Sequence, residues 1–166
     1  MRIAVVLGST SDLRAFDKVD VLELVGVMDV EVTLDIISAH RNSDVLKRFC
    51  SNLTQEVPTI AIVGAGMAAA LAGAMSAELK HVVPVIGVPL PSTGFENSMD
   101  AFLAMWRMPP GVTVSVVCGF KNAIIAALEM LVVGDNDAAN ILSTHLITMG
   151  KKPQHQVPLD PAEREG

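Results

Sequence analysis

The chain has 166 residues, which is the length of one domain around one buried core and too short for two full domains. Hydrophobic residues make up 51% and charged residues 18%, a composition too apolar for a disordered chain. The formal net charge of -6 leaves no dense lysine and arginine footprint for a duplex, so no nucleic-acid partner is expected.

Ile3 to Leu7 is a continuous apolar run, the pattern of a strand covered on both faces. It stops at Gly8 with no small-residue cleavage pattern behind it, so no signal peptide is expected. Leu13, Phe16, Val19 and Leu22 recur at helical spacing, with Asp17, Lys18, Asp20 and Glu23 between them, and predict a helical segment. Val30 to Ile36 alternates strictly between apolar and polar residues, which places this strand near a sheet edge with one wetter face. Further strands are expected at 59–63, 84–88 and 112–118, each separated by enough chain for a crossover helix. A helix over 122–133 follows, then a stop and a new cap at Gly134-Asp135-Asn136-Asp137, then a last helix ending near Met149. The repeated βαβ pattern implies an α/β fold with a parallel sheet. Residues 1–149 form one domain in this reading. Residues 150–166 form a polar tail with Pro153, Pro158 and Pro161, either disordered or laid across a neighbouring subunit.

The uncharged stretch from Pro58 to Ala77 has the hydropathy of a membrane span. It divides, however, into a β-branched run, a glycine turn and an alanine-rich segment, the pattern of a buried strand feeding a buried helix. No membrane association is expected. Cys50 and Cys118 lie far apart without C-x-x-C spacing, so neither a disulfide framework nor a zinc site is suggested, and a reducing, cytoplasmic setting is expected.

In an open parallel sheet, ligands bind outside the carboxyl ends of the strands, so chemistry belongs in the loops that follow each strand. The first loop, Gly8-Ser9-Thr10-Ser11-Asp12, combines a permissive glycine with hydroxyls at a helix start, either an anion site or simple capping. The second, Ser38-Ala39-His40-Arg41, offers a guanidinium fork for a phosphate and an imidazole, a side chain suited to proton transfer. The third, Gly64-Ala65-Gly66-Met67-Ala68-Ala69, matches G-x-G-x-x-A formally. It follows the third strand, and no acidic residue ends the next one, so it does not predict a dinucleotide cofactor. The fourth loop, Pro89 to Asn97, is long enough to cover a pocket and runs into Met99-Asp100-Ala101-Phe102. Met105, Trp106 and Met108 are expected to pack in the core or at a subunit interface.

These loops, with Pro84-Val85-Ile86-Gly87-Val88-Pro89 and Met108-Pro109-Pro110-Gly111-Val112, stand in an order and spacing that resembles the phosphoribosylaminoimidazole carboxylase catalytic-subunit family of purine biosynthesis. The resemblance covers residues 1–145. It implies a flavodoxin-like three-layer α/β/α sandwich with a central parallel sheet and a C-terminal helix, assembled as a homo-octamer with active sites between subunits. It also implies a small ribonucleotide substrate, carbon dioxide, and no cofactor or metal. Bacterial-type members move a carboxylate from the exocyclic nitrogen of 5-(carboxyamino)imidazole ribonucleotide to ring carbon 4, whereas animal-type members carboxylate aminoimidazole ribonucleotide directly. A non-catalytic ribonucleotide-binding paralogue is a further alternative. Carried over, Ser9, Ser11 and Asp12 hold the ribose phosphate and ribose hydroxyls, Ser38 and Arg41 complete the phosphate grip, and His40 shuttles the proton. Gly64, Ala65 and Gly66 lie against the carboxylate or carbon dioxide.

The chain departs from the bacterial-type pattern in the third loop, where Gly-Gly-Ala-Ala-His-Leu-Pro-Gly becomes Gly66-Met67-Ala68-Ala69-Ala70-Leu71-Ala72-Gly73. Ala70 replaces a histidine and Ala72 a proline. Lys121-Asn122-Ala123 is closer to some animal-type members, which nevertheless carry lysine where this chain has Arg41. Ala101 stands where a serine usually follows the aspartate of the fourth segment.

Overall fold

The apolar runs become β1 (Arg2–Leu7), β3 (Thr59–Ala65) and β4 (Val85–Pro89), and the alternating run becomes β2 (Glu31–Ile36). The structure, a computed structural model, describes residues 1–53, 57–80, 82–92 and 97–150, without the side chains of Val19 and Asp20. Thr93 to Glu96 of the fourth loop and the tail from Lys151 lie outside the described residues.

With β5 (Ser115–Val116), the strands form one parallel sheet in the order β2-β1-β3-β4-β5, a flavodoxin-like topology. The buried centre is β1 and β3, which pair from Arg2 with Thr59 to Leu7 with Gly64. Ile3 to Leu7 are fully buried, while β2 is half-exposed along its length, as an edge strand with alternating character must be.

The helices are α1 (Lys18–Val25), α2 (Ser43–Asn52), α3 (Ala70–Leu79), α4 (Met99–Trp106), α5 (Phe120–Leu131) and α6 (Asn136–Gly150). Because side chains alternate across a strand, Ile3, Val5 and Leu7 face one helical layer and Ala4 and Val6 the other. The first layer is α1, α5 and α6, through Leu24, Ile124, Leu128 and Leu142. The second is α2, α3 and α4, through Leu46, Leu71, Met75 and Met105. The result is a three-layer sandwich. Its C-terminal helix α6 is tied down by Leu142 and by His145 Nε2, which lies 2.8 Å from the Glu23 carbonyl oxygen of α1.

Two expectations are corrected. The helical periodicity from Leu13 to Leu22 is interrupted: a 3-10 helix spans Thr10–Ala15, Phe16 is extended, and α1 starts at Lys18. The ring of Phe16 packs edge-on against Phe120, with centroids 5.2 Å apart, which turns the chain from the loop onto the sheet face. The last strand shrinks from 112–118 to two residues. Val112 N–H bonds the Pro109 carbonyl in a turn closed by Gly111 at φ +89, so the preceding chain is held out of the ladder. The stretch from Pro58 to Ala77 divides between β3 and α3, and among the described residues no helix is long and apolar enough to cross a membrane.

Candidate active site

The strand order reverses between β1 and β3, since the chain leaves β1 for one edge of the sheet and returns past it. Crevices form outside the carboxyl ends of strands at such a reversal. Here it holds a cleft of about 630 Å³ walled by the loops after β1, β2, β3 and β4.

The β1 loop is built by its own hydroxyls. Ser9 caps the 3-10 helix, accepting at Oγ from the Ser11 N–H at 3.4 Å and from the Ser11 hydroxyl at 3.0 Å, and its carbonyl accepts from Asp12 N–H. This folding places the Asp12 carboxyl half-buried at the cleft wall. Burial pushes Asp12 above the usual carboxylate range, opposed by the neighbouring Ser9 backbone and Ser11 side chain and by the Arg14 charge.

In the β2 loop the Asn42 N–H closes a turn on the Ser38 carbonyl at 2.8 Å. Arg41 Nε donates to Ser38 Oγ at 3.3 Å, which fixes the guanidinium beside a hydroxyl. His40 lines the cleft with them, and no described residue hydrogen-bonds its ring. This side of the cleft carries two guanidiniums, from Arg14 and Arg41, against one carboxyl, and so suits an anion.

The opposite side is aliphatic. Ala65, Gly66, Met67, Ala68, Ala69, Ala70 and Leu71 line it, joined by Pro91 and Ser92 from the β4 loop. Met67 at φ 56 and Ala69 at φ 40 adopt left-handed backbone that non-glycine residues rarely take, so the loop stores strain where it meets the cleft. Ala69 occupies the N-cap of α3 without a side-chain cap. The loop can approach the β4 loop because Gly66 has no side chain: a Cβ there would stand 3.1 Å from the Leu90 carbonyl oxygen.

Ser9, Ser11, Asp12, Ser38, His40, Arg41, Ala65 and Gly66 therefore meet in one cleft. Gly64, expected beside them, does not line it. It lies in β3 beneath the cleft, where its carbonyl accepts from Gly8 N–H at 3.0 Å and a Cβ would meet Phe120 and Leu7. Two further polar lining residues escaped the sequence reading, Arg14 and Ser92. Arg14 falls inside the segment from Leu13 to Leu22 whose spacing predicts a helix, and nothing in the fourth loop marks Ser92 beyond its hydroxyl.

The family model for AIR carboxylase matches residues 2–152. Among curated proteins, the chain is 38% identical over 133 residues to the N5-carboxyaminoimidazole ribonucleotide mutase of Thermotoga maritima, covering 78% of this chain and 74% of that one. It is 34% identical over 132 residues to the mutase of Pyrococcus abyssi, covering 78% and 73%, and 31% identical over 140 residues to that of Escherichia coli, covering 82% and 80%. The crystal structure of Treponema denticola PurE superposes with a TM-score of 0.74 at 22% identity, covering 89% of this chain and 90% of that one, a likeness of fold.

Proposed function

The chain belongs to the AIR carboxylase family, and on that premise we propose that it converts N5-carboxyaminoimidazole ribonucleotide into 4-carboxy-5-aminoimidazole ribonucleotide, a step of purine biosynthesis. The observation that carries this reading is the division of one cleft into a cationic, hydroxyl-rich wall that includes His40 and an aliphatic wall facing it.

In this reading Ser9, Ser11, Ser38 and Arg41 hold the phosphate, since hydroxyls and a guanidinium are donors matched to its oxygens. Asp12 would repel a phosphate and accepts from the ribose hydroxyls instead. When the bond from the exocyclic nitrogen to the carboxylate carbon breaks, its electrons return to nitrogen, which takes a proton, and carbon dioxide is freed. Ring carbon 4 attacks that carbon dioxide and then loses its own proton. One proton is consumed and one is released, so a single imidazole at His40 supplies the first and recovers the second. Ala65, Ala68, Ala69, Ala70 and Leu71 give the freed carbon dioxide a wall without competing water sites.

The test is substrate labelled at the carboxylate carbon, incubated with the protein in unlabelled bicarbonate. Label retained in the 4-carboxylated product is expected, and His40→Asn is expected to abolish product formation. Ala70 favours a second reading, direct carboxylation, because a methyl stands where bacterial-type members carry a histidine. That reading predicts loss of the label to the bicarbonate pool. No protein-dependent product at all would sink both.

A further inference from the structure

Among the described residues, Ser92 is the one residue of the aliphatic wall that carries a polar side chain, and its setting is specific. Ser92 Oγ donates to Asp100 Oδ2 at 3.1 Å, and Asp100 Oδ1 accepts from the Ala101 N–H at 2.8 Å in the first turn of α4. Ala101 is fully buried, so the carboxylate is anchored to a fixed element. Ser92 also abuts the β3 loop, its Cβ standing 3.6 Å from the position a Cβ on Gly66 would take.

A carboxylate has no proton to give, so the single proton of the Ser92 hydroxyl is committed to Asp100 and the oxygen offers the cleft lone pairs only. An acceptor embedded in methyl groups recognises a ligand donor and disfavours an anion. Resting on the function proposed above, we infer that Ser92 accepts a hydrogen bond from the exocyclic N–H of the ribonucleotide, with Asp100 as its positioning residue. The exocyclic nitrogen carries one hydrogen while carboxylated and two once carbon dioxide has left. An acceptor at this point holds the nitrogen in place through that change and leaves the freed carbon dioxide to the alanine wall.

The experiment compares the intact wild-type protein with Ser92→Ala, Ser92→Thr, Asp100→Asn and the Ser92→Ala/Asp100→Asn double variant. The readouts are kcat, KM, thermal unfolding, and calorimetric affinity for aminoimidazole ribonucleotide and for ribose 5-phosphate, which lacks the exocyclic nitrogen. Ser92→Ala is expected to lose about tenfold in kcat/KM, the size of one hydrogen bond, with ribose 5-phosphate affinity within about twofold of wild type. Ser92→Thr keeps the hydroxyl and most of the activity, and the double variant is no worse than Ser92→Ala, because the pair acts as one unit. Should Ser92→Ala unfold, Asp100→Asn carries the same comparison. An active enzyme in which these variants keep kcat/KM, lose ribose 5-phosphate affinity in parallel, or lose activity additively overturns the Ser92 assignment alone. A wild-type protein that binds ribose 5-phosphate but neither binds nor turns over the imidazole ribonucleotides overturns the underlying function as well.

Discussion

Asp12 meets two opposed demands. Its place at the cleft wall exposes the carboxyl to a ligand, yet burial raises its pKa, so its charged form is held at a cost to the fold. A carboxyl whose folded pKa lies above its unfolded value contributes stability below the unfolded pKa and loses it as pH rises through the folded one. Asp12→Asn is therefore expected to raise Tm more at about pH 7 than at about pH 3, while weakening ribonucleotide binding; scanning calorimetry and titration calorimetry on the same variant check both. The two thiols differ in the same physical way. Burial, aided by the Glu78 carboxylate, pushes Cys50 up to about 11, whereas Cys118 is exposed. At neutral pH iodoacetamide should modify Cys118 alone, with Cys50 reacting only on unfolding, as peptide mass mapping would show. At this scale, residue type and position after a strand were enough to single out Ser9, Ser11, Asp12, Ser38, His40 and Arg41. Arg14 and Ser92 were hidden, because their place on the cleft depends on where the 3-10 helix ends and on how close two loops approach.

Among the elements, β3 and α3 carry most of the site's geometry, and their glycines do different work. A Cβ on Gly64 would stand 2.5 Å from Phe120 Cζ and 2.9 Å from Leu7 Cδ2, and both residues are buried. A Cβ on Gly73 would meet the Met108 sulfur at 2.7 Å, the flexible part of a half-exposed side chain. Gly64→Ala is expected to destabilise by about 1–3 kcal/mol through overpacking. Gly73→Ala should lie within about 1 kcal/mol of wild type, because alanine's helix propensity offsets the shift of Met108. Urea unfolding of the two variants tests the contrast. Although the fifth strand is shorter than the sequence predicts, the positions of the first four strands, the edge character of β2 and the break between α5 and α6 were legible from periodicity and turn residues. The interruption at Phe16 was not, because a helical spacing of apolar residues persists across it, and the edge-on contact with Phe120 is made by chain far away in sequence.

On the scale of the whole molecule, α4 turns an apolar stripe outward. Met99, Leu103 and Trp106 recur at helical spacing and are 49%, 41% and 64% exposed, with Trp106 stacked on Phe102. The self-association that the family resemblance implies would cover this stripe. Light scattering should give a multiple of the monomer mass, and Trp106→Glu should lower that multiple without unfolding the domain. The apolar content and alternation of this chain determined by themselves that it folds around a parallel α/β sheet, because burial of strands on both faces leaves a periodic record in the sequence. The residue types of the loops likewise marked a wall of hydroxyls and a guanidinium beside an imidazole. Only the tertiary structure decided that four loops close on one cleft, that Gly64 supports it from below, and that Ser92 lines it while its hydroxyl donates to Asp100. Those outcomes depend on strand order and on contacts between distant segments, and neither leaves a local pattern for the sequence to show.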